Sequence, residues 1–344
     1  MTGSLAYCIR IGALTISNQA TGNERLLLYL DVRLGMDGVG GVCELLLGDP
    51  ENVPPQIGDT LSVELNVGEG AQTVFTGIVD TVRVDITGQS VTAYDSLRKL
   101  VGLETESSYE NVDVDFVVKD LLQQAGVSVG RVAKGIKLVS YAIVKNPGAL
   151  RQVLELADWC GADLYTDGAG KAHFTTPAEQ GAEHLLEFGQ NVLRLELQAT
   201  PPIHDSVEVF GEGAAAGQGA DKFHWLANDM AGVSGKAAID AQGMVTAGRI
   251  GKCPRLLKLG AVRSGEAAQQ VAEAQMRALS ARWLRGRVEV YGMPKIFPGD
   301  HVKINSVPAR HSVAKLLQGQ HTLRVRQVRH FLSLNRGFLT CLEF

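Results

Sequence analysis

In TLSVELNV, residues 60–67, Leu61, Val63, Leu65 and Val67 alternate with polar side chains. Successive side chains of a strand point to opposite faces, so this alternation predicts a half-buried antiparallel strand. The same reading extends over residues 1–103. LLLYLDVRL and GVCELLLG are apolar segments with partial alternation, separated by the glycine-rich GMDGVGG; TVFTGIVDTVRVDIT and SVTAYDSL follow, joined at Gly88. Several short strands linked by tight turns predict a small barrel or sandwich.

The period changes near residue 104. NVDVDFVVKDLLQQAG places Val118, Leu121, Leu122 and Ala125 at helical spacing, with Asp113 or Asp115 as a cap and Gly126 as a stop. After the strand-like IKLVSYAIV, NPGALRQVLELADWCG repeats the template. Asn146 is its expected cap, Pro147 lies in its first turn, Leu150, Val153, Leu154 and Ala157 form its stripe, and Gly161 closes it. LYTDGAGKAHF, residues 164–174, then offers two readings, a phosphate loop or a hairpin turn. A phosphate loop needs GxxxxGK[ST] between a strand and a helix. Here Gly168 and Gly170 are too close, Ala172 follows Lys171, and a strand-like segment comes next. Asp167-Gly168 is a favoured turn dipeptide, so a hairpin is predicted.

Residues 188–212 return to strand alternation in NVLRLELQATPPIHDSVEVFG. Residues 213–263 have no firm period. SGEAAQQVAEAQMRALSARWLRG then predicts a helix capped by Ser264, with Glu266 favourable in its first turn. Val271, Ala274, Ala278 and Ala281 form a narrow stripe of small residues that should pack close against a neighbour. The remainder is strand-like again: GRVEVYGMPKIFPGDHVKI, HTLRVRQVRHFLSL, a turn at NRG, and FLTCLEF.

Two distant segments share one layout. IGDTLSVEL precedes TGIVDTVRVDITGQSVTAYD, and PGDHVKINSV precedes TLRVRQVRHFLSLNRGFLTCLEF. Each opens on a Gly-Asp turn, Gly58-Asp59 in the first and Gly299-Asp300 after Pro298 in the second, then runs through a long strand, a glycine turn and a closing strand. Internal similarity of this kind implies two barrels of one type. The expected fold is mainly β with α+β, two tube-like β-barrels related by an internal repeat. The first barrel is assigned to residues 1–103 and the second to 188–212 with 287–344. An α+β segment of two helices and a hairpin occupies 104–187, and an insertion with the Ala-rich helix occupies 213–286.

Composition narrows the function. Of the 344 residues 45% are hydrophobic and 20% charged, which suits globular domains rather than a disordered chain. A formal charge of -4 disfavours a specific nucleic-acid groove, which needs clustered Lys and Arg. The most basic short run, Arg324, Arg326 and Arg329, alternates as a solvated or interface strand face would. The five cysteines, Cys8, Cys43, Cys160, Cys253 and Cys341, form no CxxC pair and read as buried, reduced thiols of a protein made in cytoplasm. No secretory leader and no stretch of membrane-spanning length is seen, so no membrane anchor is expected. The closing CLEF continues strand alternation and is not read as a lipidation box.

Taken in order, IGDTLSVEL, FTGIVDTVRVD, SVTAYDSLRKL, YENVDVDFVVKDLLQQAGV, GALRQVLELADWCGADLYTDGAGKAHF, the Ala-rich helix and GRVEVYGMPKIFPGDHVKI resemble the phage tail hub family. The likeness is to the late control protein D group and to the N-terminal part of type VI secretion spike proteins, and it covers most of the chain except 213–263. The resemblance implies two barrels per chain and a homotrimer, whose six barrels sit under a six-fold tail tube while a three-fold face receives a spike. It implies a place at the virion or injection-machine baseplate, among tail tube, wedge and tape-measure proteins, after assembly in the bacterial cytoplasm. Because the sequence stops at Phe344 straight after a strand, the spike is expected to be a separate chain.

No catalytic chemistry is expected. A tail lysozyme needs two carboxylates a few ångströms apart, one of them held protonated. Glu104, Glu106, Glu110 and Asp113 are dense, but they lie on a polar stretch entering a helix. There is no HExxH and no GxSxG elbow with triad partners, and His301, His311, His321 and His330 lack ligand spacing. GEGAAAG lacks the context of a dinucleotide fingerprint. A carbohydrate- or receptor-binding module predicts exposed loop aromatics; Trp159 reads as packing, and Trp225 alone has no assigned place. No cofactor or metal is expected. The residues singled out are structural turns: Gly58, Asp59, Gly168, Pro298, Gly299 and Asp300.

Overall fold

A computed structural model describes residues 5–19, 27–36, 40–48, 54–177, 181–212, 233–240, 244–281, 283–317 and 322–344. The alternating segments at the start form seven strands: β1 (Ala6–Ile11), β2 (Leu14–Ser17), β3 (Leu27–Gly35), β4 (Val42–Leu47), β5 (Thr60–Asn66), β6 (Gln72–Val84) and β7 (Gln89–Tyr94). Leu61, Val63 and Leu65 of β5 are fully buried, as the alternation predicts. A short α1 (Arg98–Val101) leads into β8 (Ser107–Asp113), α2 (Val114–Gln124), β9 (Val129–Val132), β10 (Lys137–Ile143), α3 (Ala149–Cys160), β11 (Asp163–Thr166) and β12 (Ala172–Thr175). Next come β13 (Glu183–Glu187), β14 (Val192–Ala199), β15 (Ser206–Phe210), β16 (Ser234–Ile239), β17 (Val245–Ala247), β18 (Pro254–Lys258) and α4 (Gly265–Ala281). The chain closes with β19 (Leu284–Tyr291), β20 (His301–Asn305), α5 (Ser312–Leu316), β21 (Leu323–Arg324), β22 (Gln327–Ser333) and β23 (Gly337–Glu343).

The fold is mainly β, dominated by one large curled sheet of eleven strands in the order β14-β19-β23-β22-β3-β4-β7-β6-β5-β1-β2. Strands from the two ends of the sequence thus share one sheet and meet where β22 pairs antiparallel with β3. Each side keeps its own core. Ile9, Leu30, Leu45, Leu61, Phe75 and Val91 belong to the first, and Leu186, Val288, Val302, Val325, Val328 and Leu342 to the second. Beside β20 runs β13 in parallel, with β21 on the other side, as a small separate sheet.

The middle of the chain has a core of its own, in which Leu121, Val153, Leu156 and Phe174 join Val207, Val209, Val271 and Met276. Of the segment 188–212, β14 joins the large sheet, whereas β15 lies in a four-stranded sheet ordered β17-β16-β15-β18. Helix α4 packs on that sheet. Its approach is so close that a Cβ on Gly235 of β16 would run into the carbonyl of Ala268. The buried face of α4 is Ala267, Ala268, Val271, Ala272, Gln275 and Met276. Of the expected stripe, Val271 lies in this face and Ala274 packs close against Gly161 at the end of α3, whereas Ala278 and Ala281 fall outside it because the sheet captures the side that carries Val271 and Met276. Residues 213–232, including Trp225, lie outside the described residues.

Helix boundaries follow the expected signals with two shifts. Ser264 Oγ accepts the Ala267 N–H at 3.1 Å and so caps α4. Gly161 ends α3 in the left-handed conformation with φ +58°. Helix α3 begins at Ala149 rather than in the turn of Asn146 and Pro147, with Gly148 at its N-cap. Gln152 of its first turn reaches back instead, donating to the carbonyls of Val144 and Pro147 at 2.7 Å each. Asp113 stands at the N-cap of α2 in extended conformation but makes no side-chain cap bond.

Candidate functional site

The two Gly-Asp turns have the same construction. In the first, Gly58 N–H donates to the Val79 carbonyl (2.9 Å), Val79 N–H returns to the Asp59 carbonyl (2.9 Å), and Asp59 N–H closes on Gln56 (3.1 Å). In the second, Gly299 donates to Val325 (2.8 Å), Val325 returns to Asp300 (2.8 Å), and Asp300 closes on Phe297 (3.2 Å). Each aspartate carboxylate accepts from the first residue of its own turn, Asp59 from Gln56 at 2.9 Å and Asp300 from Phe297 at 3.0 Å. The glycines sit at φ +93° and +92°. That is the third position of a type II turn, where a side chain is strained; Pro298 supplies the fixed φ that suits the second position.

The corners differ in what covers them. Gly58 has open space around it and Ile57 is 72% exposed. Pro298 and Gly299 are buried, and a Cβ on Gly299 would come within 2.6 Å of the Tyr165 hydroxyl. Asp300 also anchors β13, accepting from Ala182 N–H at 3.0 Å and lying 2.9 Å from His184 Nε2.

The hairpin of β11 and β12 is closed by Asp167 N–H to the Lys171 carbonyl (3.1 Å) and Gly170 N–H to Asp167 (2.9 Å). The left-handed residue is Gly170, at φ +77°, and not Gly168 as the Asp-Gly dipeptide suggested. The loop is longer than two residues, which moves the special conformation along. Gly168 is required by proximity instead: a Cβ there would collide with the Thr73 carbonyl of β6 and with the ring of Phe297. Thr76 donates to the Gly168 carbonyl (2.9 Å) and Ser96 to that of Gly170 (2.7 Å). The tip is thus a wedge between the first half of the sheet and the Gly299 corner, with Lys171 facing solvent.

The basic run is engaged within the chain rather than solvated. Arg324 and Arg326 both pair with Asp163 of β11, Arg326 Nη2 at 3.0 Å from Oδ1, and all three side chains are largely buried. Arg329 grips Asp31 of β3 with Nε at 2.8 Å and Nη2 at 2.7 Å, across the β22–β3 seam. Burial alone would push the Asp31 carboxyl up, but hydrogen bonds from Arg329 and Arg33 hold it below the ordinary carboxylate range. Sequence alternation placed these arginines on one face. It carried no sign of the acids facing them, which come from residues 31 and 163.

Glu104, Glu106 and Glu110 are exposed, and Asp113 pairs with Lys134 at 3.4 Å. The carboxyl that burial pushes up is Asp95, which is enclosed and accepts from Thr166, Gly41 and Leu97. Among the described residues no three His, Cys, Asp or Glu side chains gather as metal ligands. His330 is buried, His311 accepts from Val313 N–H at the start of α5, and His321 lies outside the described residues. Trp159 is packed edge-on against Tyr141 with ring centroids 5.9 Å apart. Among the described residues no helix is long and apolar enough to cross a membrane.

No protein-family profile matches the chain, and no curated protein matches it. Solved structures do. A tail protein from Neisseria meningitidis MC58 superposes with TM-score 0.67 at 15% identity, over 98% of this chain and 95% of that one. The 43 kDa tail protein of prophage MuSo2 from Shewanella oneidensis gives 0.65 at 13% identity, over 98% and 97%. An Escherichia coli component of the type VI secretion system, described as similar in structure to the T4 bacteriophage tail proteins gp27 and gp5, gives 0.57 at 10% identity, over 97% and 75%. The chain therefore has the fold of these tail and secretion-system proteins over nearly its whole length.

Proposed function

We propose that this chain is the central baseplate hub of a contractile phage tail or a phage-derived injection machine. It is a non-enzymatic scaffold, and three copies join a six-fold tail tube to a three-fold spike. The observation that carries this reading is the pair of Gly-Asp corners, with the same hydrogen bonds and the same glycine φ 241 residues apart. Two like halves per chain make six in a trimer, and such a ring presents quasi-six-fold symmetry on one face while the molecule stays three-fold. The shared fold with two tail proteins and a secretion-system component supports the same assignment. Its partners are the tube protein, a spike, the baseplate wedge proteins around it and the end of the tape measure. Of the carboxylates described above, Asp59 and Asp300 brace turns and Asp31 and Asp163 sit in ion pairs with arginines, and no substrate is assigned.

The test is the mass of the purified chain by light scattering at several concentrations, followed by co-sedimentation with assembled tail tube. A species three times the chain mass that binds the tube end is the expected result. A monomer at every concentration that ignores the tube overturns the reading.

A further inference from the structure

Among the described residues, each half of the large sheet has an uncovered edge besides that of β2, which ends the first half. β14 ends the sheet and, among the described residues, pairs only with β19. β6 pairs with β5 as far as Ile78, and beyond the bonds of Val79 its residues 81–84 pair, among the described residues, only with β7. These two edges are the counterparts of the strands that meet inside the chain. Straight across four strands of the first half, Asp31, Glu44, Thr92 and Thr81 stand in line. Across the second half the same line is Glu196, Arg287, Glu343 and Gln327. Thr81 and Gln327 each lie two residues after the valine bonded to a Gly-Asp corner. Even the irregularity matches: the β3–β4 ladder skips Leu28 and the β14–β19 ladder skips Leu193. So β14 is the counterpart of β3, and β6 beyond Val79 is the counterpart of β22.

What is buried at the internal seam is uncovered at the open edges. Leu30, Val32 and Val328 are fully buried, whereas their counterparts Leu195, Leu197 and Val82 are only partly so. The charges correspond as well. Arg329 grips Asp31 across the seam, and the matching positions are Arg83 and Glu196. Arg83 is exposed and, among the described residues, makes no ion pair; Glu196 pairs with Arg194 of its own strand.

We propose that the open edge of β14 in one copy pairs antiparallel with residues 81–84 of β6 in the next, repeating between copies the joint that β3 and β22 make within one. Transferred register sets Ala199 opposite Val82, Gln198 opposite Arg83 and Leu197 opposite Val84, with Arg83 reaching diagonally to Glu196 as Arg329 reaches Asp31. The contact joins unlike surfaces, so it propagates head to tail, and in a three-fold hub it closes as a ring. The seam is shorter than the internal one, because Asp85 folds its carboxylate back onto Thr87 and Gly88. The inference rests on the hub reading for its ring and names the surfaces that build it.

Cysteines placed directly opposite on neighbouring antiparallel strands are close enough to bridge. The double variant Arg83→Cys with Gln198→Cys, oxidised at low concentration, is run on a denaturing gel beside each single variant while light scattering gives the mass. A covalent ladder in the double variant alone, ending at the ring size, is expected. Charge reversal is read in parallel: Arg83→Glu weakens assembly about tenfold or more, and adding Glu196→Arg restores it. A stable trimer with no ladder and no response to charge reversal overturns the seam and leaves the hub reading standing. A ladder that closes at a number other than three keeps the seam and removes the trimer. A monomer without a ladder removes both.

Discussion

At the scale of single residues, the two corner glycines separate conformation from contact. Both occupy φ near +90°, where an L side chain is strained, but only Gly299 is also enclosed. Gly58→Ala should cost about 1–2 kcal/mol from the left-handed conformation alone. Gly299→Ala should cost clearly more, since its Cβ also displaces Tyr165 from the corner, and valine should widen the difference. Urea midpoints of the two variants check this; equal losses would show that Tyr165 does not hold the Gly299 corner. His330 provides a pH test. Burial pushes its imidazole down to about 4, from the ordinary 6.5, and Nδ1 lies 3.1 Å from the Thr340 hydroxyl. Above pH 6.5 the ring is neutral folded and unfolded, so its neutral burial is fully tolerated. Between pH 6.5 and 4 the unfolded chain takes a proton that the folded chain refuses, and stability falls by up to about 3 kcal/mol. Denaturation at pH 7 and pH 4.5 measures the drop. If His330→Leu keeps the full drop, another group is responsible.

At the scale of elements, legibility tracked how local the cause was. β5 could be read from Leu61, Val63 and Leu65 because side-chain alternation needs no knowledge of a partner. The end of α3 at Gly161 and the start of α4 at Ser264 were legible for the same reason, since caps act within one turn. The start of α3 was not, because Gln152 fastens the preceding loop from inside the helix. The buried face of α4 was legible only in part: Val271 belongs to it, Ala278 and Ala281 do not. A helix with alanines on several sides is oriented by the sheet that receives it, and Gly235 beneath Ala268 decides that. Gly168 illustrates the same limit: a turn was foreseen, but the carbonyl of Thr73 that demands a glycine comes from a strand about a hundred positions earlier. The Arg324, Arg326 and Asp163 cluster belongs here too, because alternation orders a strand's faces and says nothing of the charge that meets them.

At the scale of the whole molecule, the like turns were visible in sequence, but the seam that joins β22 to β3 was not. Nothing in either strand names a neighbour some 300 residues away; that choice is made by the collapse of both halves into one sheet. The seam also separates internal strength from assembly. Asp31 is 3% exposed and depends on Arg329 and Arg33, so Arg329→Ala leaves a buried carboxylate with one guanidinium and should cost the folded chain about 2 kcal/mol or more. The counterpart change, Arg83→Ala, removes an exposed side chain with no ion pair among the described residues and should shift unfolding by no more than about 0.5 kcal/mol. Its effect should instead appear as a dissociation of copies at concentrations where the parent chain stays assembled. Urea unfolding at high dilution isolates the first quantity, and light scattering across a dilution series isolates the second. Were Arg83→Ala to weaken the diluted, unassembled chain as much as Arg329→Ala does, the arginine at the open edge would be serving its own fold, and the correspondence between the two edges would lose its charge term.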